Sequence, residues 1–236
     1  MFDKTAEYYS LIYTQFKDYG DEADRVADLI RKRNPGAREV LEVACGPALH
    51  STHLAADHGF AADGVDIDES FVSIAGKANP GGRFEPGDMR TFEMGKTYDA
   101  VICLFSSIGY MTTRSDLALA IANMKKHAAQ GGVIIVEPWL TPEAFTAGQR
   151  HLHTVEEEEA TIARMTIGEL EGRISRFYMH YLIGTEDGIR HELEVHELAL
   201  FSREEMEEAF EKCGLQVEYD PVGFDDRGLY IAVNGI

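Results

Sequence analysis

The chemistry-bearing residues of this chain gather around one loop. Val40-Leu41-Glu42-Val43-Ala44-Cys45-Gly46-Pro47-Ala48 is an apolar run that closes in a small-residue turn, and a helical pattern opens near Leu49. Twenty positions beyond Gly46, at the end of a second apolar run, stands Asp66 in Gly64-Val65-Asp66-Ile67-Asp68. A carboxylate at that place in an open α/β sheet can accept two hydrogen bonds from a ribose diol. A dinucleotide fingerprint would set three glycines around a pyrophosphate. This loop keeps Gly46, with Ala44 and Ala48 at the flanking small positions, and so favours a ligand without a phosphate. A third contact follows in Glu85-Pro86-Gly87-Asp88-Met89-Arg90, where Asp88 can accept from an adenine amino group and the Met89 amide can donate to the ring. Alone, Asp88 reads as an Asp turn capping the next segment. With the loop and Asp66 it completes a set of contacts for an adenosine.

Such residues need parallel strands to carry them. Helical spacing at Val26, Leu29 and Ile30 is followed by strand patterns near 38–43, 61–66, 82–86, 98–104 and 132–137. Helices are predicted over 49–58, 69–78 and 115–128, the last stopping before Gly131-Gly132. After Glu137-Pro138-Trp139 the period changes to two: Phe177, Met179, Tyr181 and Ile183 alternate with Tyr178, His180 and Leu182, and Leu193 and Val195 with Glu192, Glu194 and His196. Residues 140–200 therefore read as an antiparallel β-rich insertion, followed by a helix at 203–213 that stops at Gly214 and a closing hairpin from 215–219 and 228–233. The expected fold is α/β: an open, mostly parallel, seven-stranded Rossmann-like sheet formed by 1–139 with 201–236, carrying the insertion 140–200. An insertion above the carboxyl ends of parallel strands is where a substrate lid sits.

Composition narrows the function classes. A formal charge of −19 on 236 residues opposes broad attraction to nucleic acid or anionic lipid, because each phosphate contact needs a Lys or Arg. The acidic run at 156–159 reads as a solvated surface. Nowhere do eighteen uncharged apolar residues run together, and the start, Met1-Phe2-Asp3-Lys4-Thr5-Ala6-Glu7, lacks a basic segment followed by an apolar one. A soluble cytoplasmic protein without a membrane partner is expected. Cys45, Cys103 and Cys213 have neither metal-like nor redox-like spacing. His50 and His53, or His151 and His153, lack a third ligand at suitable spacing, so no metal is expected.

S-adenosylmethionine, an adenosine with a ribose diol, a sulfonium and an amino-acid tail, fits the loop. A more specific resemblance rests on Val43-Ala44-Cys45-Gly46, Gly87-Asp88-Met89-Arg90, Phe105-Ser106-Ser107-Ile108-Gly109-Tyr110, the segment 131–139 and Arg227-Gly228-Leu229-Tyr230, which occur in succession. The chain resembles the class I methyltransferases that make dTDP-3-dimethylamino-hexoses, the N,N-dimethyltransferases of desosamine- and mycaminose-type pathways. The resemblance runs from about Tyr9 to Val233. It implies that Tyr9 and Tyr19 close over the methionine end of the cofactor and that Ala44, Asp66, Asp88, Met89 and Leu104 fall at cofactor-contacting positions, beside Gly46. It implies, further, that Arg227 pairs with the diphosphate of a nucleotide-linked amino sugar and that Pro142 and Glu143 line the substrate site. It also points to a homodimer.

Four departures from the family pattern stand out. Glu42 replaces an Asp, and Pro47-Ala48 replace a Thr-Gly pair, bringing a stiffer loop and an extra methyl group near the cofactor. Phe2 is the nearest aromatic residue to a substrate-reaching tyrosine, and Asp225 and Asp226 would repel a diphosphate unless they point away. The implied reaction is direct displacement, in which a neutral sugar amine attacks the methyl carbon in line. Tyr110, at the end of the Phe-Ser-Ser motif, is the candidate for orienting the amine or accepting its proton, against the alternative of a plain aromatic wall. Another small-molecule acceptor is the rival reading; a non-catalytic cofactor-binding module and a nicotinamide oxidoreductase are weaker ones.

Overall fold

A computed structural model describes residues 6–158 and 160–235; Phe2 and Glu159 lie outside them. The chain opens with helix α1 (Tyr9–Tyr13) and α2 (Tyr19–Arg33), then alternates β1 (Glu39–Val43), α3 (Leu49–Ala56), β2 (Ala61–Asp66), α4 (Glu69–Ala78), β3 (Phe84–Pro86), β4 (Tyr98–Cys103), α5 (Arg114–His127) and β5 (Ala128–Val136). Four long strands follow, β6 (Arg150–Glu156), β7 (Thr161–Glu171), β8 (Ile174–Thr185) and β9 (Gly188–Ala199), before α6 (Arg203–Lys212), β10 (Val217–Asp220) and β11 (Leu229–Val233).

The first sheet has the order β10-β11-β5-β4-β1-β2-β3, with β11 antiparallel to both neighbours and the rest parallel. Its central strands are largely apolar because both faces are covered. Val101, Cys103, Ile134 and Val136 pack toward α5 and α6, while Ala100, Ile102, Val133 and Ile135 pack toward α2. Chain order reverses between β1 and β4, and ligands of open α/β sheets bind in the crevice at such a switch point. Helices α2, α4, α5 and α6 begin where the sequence supplies a side-chain acceptor for an exposed first amide. Asp68 accepts from Ser70 N–H, and Ser202 with Glu205 forms a capping box.

The helix expected over 115–128 ends at His127, but the strand that follows begins at Ala128 rather than near 132. The glycines form an irregularity inside β5: Gly131 adopts φ +77°, and the pairing with β4 shifts register between Tyr98 and Ala100. A Cβ on Gly132 would stand 2.8 Å from the Ala129 carbonyl oxygen, so the backbone there closes on itself too tightly for a side chain.

The second sheet is an antiparallel meander in the order β6-β7-β8-β9. Its inner face closes over α1, where Tyr9, Ile12, Tyr13, Val155, Ile162, Tyr181 and Ile183 form one buried cluster. On β9 the alternation turns the charged residues inward: Glu194 and His196 are 3% and 1% exposed, whereas Leu193 and Val195 are 40% and 42% exposed.

The two sheets meet at Gly109, whose added Cβ would lie 2.8 Å from Trp139 Cβ and 3.1 Å from Leu198 Cδ2. Trp139 Cβ is one bond from the backbone and cannot swing away, so Gly109→Ala is expected to destabilise the fold by about 1–3 kcal/mol. For a chain of this size that lowers the thermal midpoint by roughly 2–4 °C per kcal/mol. Calorimetry showing an unchanged midpoint would contradict the tight approach.

Candidate active site

The pairing of β1 with β2 sets Val43 beside Val65, so the loop after one strand faces the acid that ends the other. Gly46 N–H donates to Asp66 Oδ2 at 2.8 Å, and Asp68 N–H donates to Oδ1 at 2.9 Å. Burial pushes the Asp66 carboxyl up to about 6, with Asp68 and Glu42 adding to it and the two amides opposing it. Ala44, Gly46 and Ala48 all adopt positive φ (56°, 54° and 60°), a conformation that costs the two alanines of order 1 kcal/mol each. The Ala48 methyl group, expected near the cofactor, packs instead with Cys45 and Ala75 beneath the loop.

Glu42 reaches sideways rather than into the crevice. Its Oε2 accepts from Ser51 N–H at 3.1 Å and from the Ser51 hydroxyl at 2.5 Å, binding β1 to the start of α3. Its Oε1 meets His50 Nδ1 at 3.2 Å, and His50 Nε2 meets Glu22 at 2.8 Å. Lys17 closes the chain on Glu22. Burial alone would depress the His50 imidazole, but its hydrogen bonds to Glu22 and Glu42 outweigh burial and carry it to about 9. The histidine singled out for metal spacing is thus the cation between two buried acids. His53 is exposed and pairs with Asp57. Among the described residues no His, Cys, Asp and Glu cluster is arranged to hold a metal ion.

Two cavities open above these strands. The first, about 290 Å³, is lined by Tyr9, Ala44, Gly46, Asp66, Asp88, Met89 and Tyr110. A narrow extension beneath it brings in Tyr19 and Leu104. Asp88 is a turn residue as well as a wall: Arg90 N–H and guanidinium donate to its carboxylate, which hydrogen bonding to Arg90 holds below the usual range. The second cavity, about 490 Å³, shares Tyr9, Ser107 and Tyr110 with the first and is lined by the cations Lys17, Arg164 and Arg227.

The Phe-Ser-Ser and Glu-Pro-Trp segments are one hydrogen-bonded unit. Phe105 and Ser106 both adopt left-handed backbone (φ 51° and 62°), held by Phe105 N–H donating to Glu137 Oε2 at 2.6 Å and Ser106 Oγ donating to the Pro138 carbonyl at 2.8 Å. That turn aims Tyr110 at the junction of the cavities. Its hydroxyl lies 2.7 Å from His196 Nδ1.

On the acceptor side, Arg227 is tied to Asp225 at 2.5 Å and lies 3.5 Å from Glu137. Asp225 therefore points toward the arginine rather than away, while Asp226 is exposed. Arg164, which sequence reasoning passed over, is 5% exposed, and its Nε and Nη1 have no hydrogen-bond partner. Pro142 and Glu143 are exposed in the loop after Trp139 and line neither cavity. Lys17, Arg164 and His196 stand there instead. Sequence offered only the inward parity of β7 and β9 as a signal for two of them.

A model of a methyltransferase domain matches residues 40–132. The chain is 39% identical over 98% of its length, and 91% of the relative's, to dTDP-3-amino-3,6-dideoxy-alpha-D-glucopyranose N,N-dimethyltransferase of Streptomyces fradiae. It is 38% identical to dTDP-3-amino-3,4,6-trideoxy-alpha-D-glucopyranose N,N-dimethyltransferase of Streptomyces venezuelae, covering 97% of each. The chain belongs to the sugar N,N-dimethyltransferase family. DesVI of Streptomyces venezuelae superposes with a TM-score of 0.91 at 38% identity and 97% coverage of each chain. The S-adenosylmethionine-bound amino pentose methyltransferase CalS10 of Micromonospora echinaspora does so with 0.84 at 37% identity, covering 93% of each chain. The methyltransferase fold with an antiparallel second sheet is therefore this family's architecture.

The His50 cluster gives this methyltransferase a pH signature. An imidazole raised from 6.5 to about 9 contributes stability that is full below its ordinary value and lost as pH rises through the higher one. The thermal midpoints of wild type and His50→Gln are expected to differ most below about pH 6.5 and to converge as pH rises through about 9. A constant offset across that range would contradict a charged imidazole.

Proposed function

We propose that this enzyme methylates the amino group of a nucleotide-linked deoxyamino sugar, with S-adenosylmethionine as methyl donor. The observation that carries the reading is the pair of cavities meeting at Tyr9, Ser107 and Tyr110, one ending on a diol acceptor and the other on cations. The residues present fit the cofactor: each Asp66 oxygen keeps a lone pair beyond the one its backbone amide uses. Asp88 and the Met89 amide would meet the adenine, while Tyr9, Tyr19, Ala44, Gly46 and Leu104 would surround the methionine end. When bound, S-adenosylmethionine supplies a methyl group made electrophilic by sulfonium. The chain's part is positioning, which supplies on the order of 7–11 kcal/mol when a reactant pair is held in near-attack geometry.

We assign 1–139 with 201–236 to the cofactor-binding core and 140–200 to the acceptor-binding unit, with Pro142 and Glu143 on its rim. Arg227, Arg164 and Lys17 would receive the diphosphate, which must displace Asp225 from Arg227. The relatives named above act on dTDP-amino-deoxy sugars, which supports that substrate class. Three free thiols suit a reducing cytoplasm, where we place the reaction.

We also propose a homodimer through the outer face of the second sheet. Leu152, Met165, His180 and Leu193 form one cross-strand row there, and Ile167, Tyr178 and Val195 the next. Leu152, Met165 and Leu182 are each more than half exposed in the isolated chain, an apolar continuity that a second copy would cover.

S-adenosylhomocysteine release should follow addition of a nucleotide-linked amino sugar and not of simple amines. Release with simple amines alone would sink the sugar assignment and spare the methyltransferase. Arg164→Met is expected to raise KM for the nucleotide-linked acceptor about 10–100-fold, the worth of a hydrogen bond to a charged group, with cofactor affinity unchanged; an unaltered KM would remove Arg164 from the acceptor site. Sedimentation equilibrium should report a dimer that Leu182→Arg with Val195→Arg dissociates. A monomeric wild type would refute the second proposal.

A further inference from the structure

β9 breaks the ordinary rule for a half-buried strand by turning a carboxylate and an imidazole inward. Glu194 and His196 are 3% and 1% exposed, and their side chains approach to 3.5 Å between Glu194 Oε2 and His196 Nε2. The other imidazole nitrogen, Nδ1, lies 2.7 Å from the Tyr110 hydroxyl. Tyr110 lines both cavities, whereas His196 lines the acceptor cavity alone. The three groups run from the junction of the two cavities into the second sheet. Burying a carboxylate and an imidazole is costly unless a partner or a function retains them.

We propose that Tyr110, His196 and Glu194 form the proton exit of the acceptor site, with His196 and Glu194 as positioning residues that act through Tyr110. The proposal rests on the amino-sugar reading above and adds the fate of the proton to it. Each methylation uses the amine's lone pair to form the N–C bond; the C–S bond breaks and its electron pair stays on sulfur, so the new product is a methylammonium carrying one proton more than a free amine. That proton passes to the Tyr110 oxygen as the phenolic proton passes to His196 Nδ1, and the Glu194 carboxylate balances the resulting imidazolium. From there the proton leaves to solvent through the acceptor cavity. A second methylation at the same nitrogen needs the lone pair restored, so the exit matters most between the first and second transfers.

Tyr110 cannot serve as a base by ionising. Burial pushes its phenol well above the ordinary range, and Tyr13, Asp66 and Glu194 push it the same way. It stays protonated and can only relay. Imidazole is the side chain suited to take a proton near neutrality. The groups that face this line are Glu194 from its own strand, Tyr110 from the turn after β4, Tyr13 from α1, Tyr181 from β8 and Arg164 from β7. Arg164 lowers the phenols of Tyr13 and Tyr181, and Glu194 raises them.

The test compares wild type, His196→Asn, Glu194→Gln and Tyr110→Phe with a dTDP-linked amino sugar and S-adenosylmethionine, resolving mono- and dimethylated products by mass spectrometry from pH 6 to pH 10. Wild type should run through to the dimethylamine. His196→Asn and Glu194→Gln should pile up the monomethyl product below pH 8, with the second transfer slowed about 100-fold or more, the scale of positioned proton transfer. Above pH 9 bulk deprotonation should narrow the gap. A mono-to-dimethyl ratio that matches wild type at every pH, even with slower turnover, would overturn the relay and leave the pair structural. Should His196→Asn not fold, Glu194→Gln and Tyr110→Phe decide by the same product ratio, and a wild-type ratio in both would equally overturn the relay. If wild type methylates simple amines and never the amino sugar, the function proposal fails first and this one falls with it, a result distinct from a wild-type product ratio.

Discussion

One fully buried carboxylate, Glu137, holds the two halves of the site in register. It stands at the end of β5, where its own N–H donates to the Cys103 carbonyl and so continues the β4–β5 ladder by one rung. Its side chain accepts from Phe105 N–H and faces Arg227, so one residue fixes the strained turn that carries Tyr110 and the arginine of the acceptor cavity. Burial pushes the carboxyl up, and Arg227 and Lys17 oppose the push. Breaking a buried pair by removing one partner costs about 3–5 kcal/mol, because the other charge is stranded. The Phe-Ser-Ser and Glu-Pro-Trp segments, 32 residues apart in the chain, are thus consequences of one hydrogen-bonded arrangement rather than two separate devices.

A second set of buried charges underlies the cofactor cavity. Lys17, Glu22, His50 and Glu42 alternate in sign from the loop before α2 to the end of β1. One Glu42 oxygen reaches α3 at Ser51 while the other meets His50. The two acids would repel each other across the site without the imidazolium between them. The helix that carries Tyr19 and the strand that carries Ala44 are therefore joined through a charge, not only through packing, and the Gly46 loop sits on that junction.

The meeting of the Gly46 loop with Asp66 is legible in the sequence because parallel pairing converts chain spacing into contact. An acid at the end of β2 meets the loop after β1 whatever the intervening helix contains, and the Gly46–Asp66 hydrogen bond is that rule made visible. The acceptor side offers no such rule. Arg164 differs from Arg150 and Arg176 in nothing that the sequence shows; it is buried because its strand position has inward parity, while they lie on the other face. Pro142 and Glu143 sit in a loop, where family position transfers poorly because loops move against the scaffold that holds them. The glycines of β5 mislead for a related reason, since a bulge and a helix stop ask for the same residue type.

The alternation on β9 identifies a strand and leaves its facing open, and the apolar-in rule would choose wrongly. Because side chains alternate with a period of two, one register decides both faces together. In the observed register the leucine and valine rows cover the outside of the second sheet, while His196 lines the acceptor cavity with Glu194 buried beside it. A slip by one residue would place Leu193 and Val195 against Tyr110 and set the acid and imidazole in the outer apolar rows. The pairing of β8 with β9 runs without interruption from Ile174–Ala199 to Thr185–Gly188, and β7 pairs equally continuously along β8. Such length is what a strand needs when its inner face is too polar to fix the register by burial alone. The meander's long ladders are thus the structural counterpart of a polar acceptor cavity, and an apolar outer face is the other consequence of the same choice.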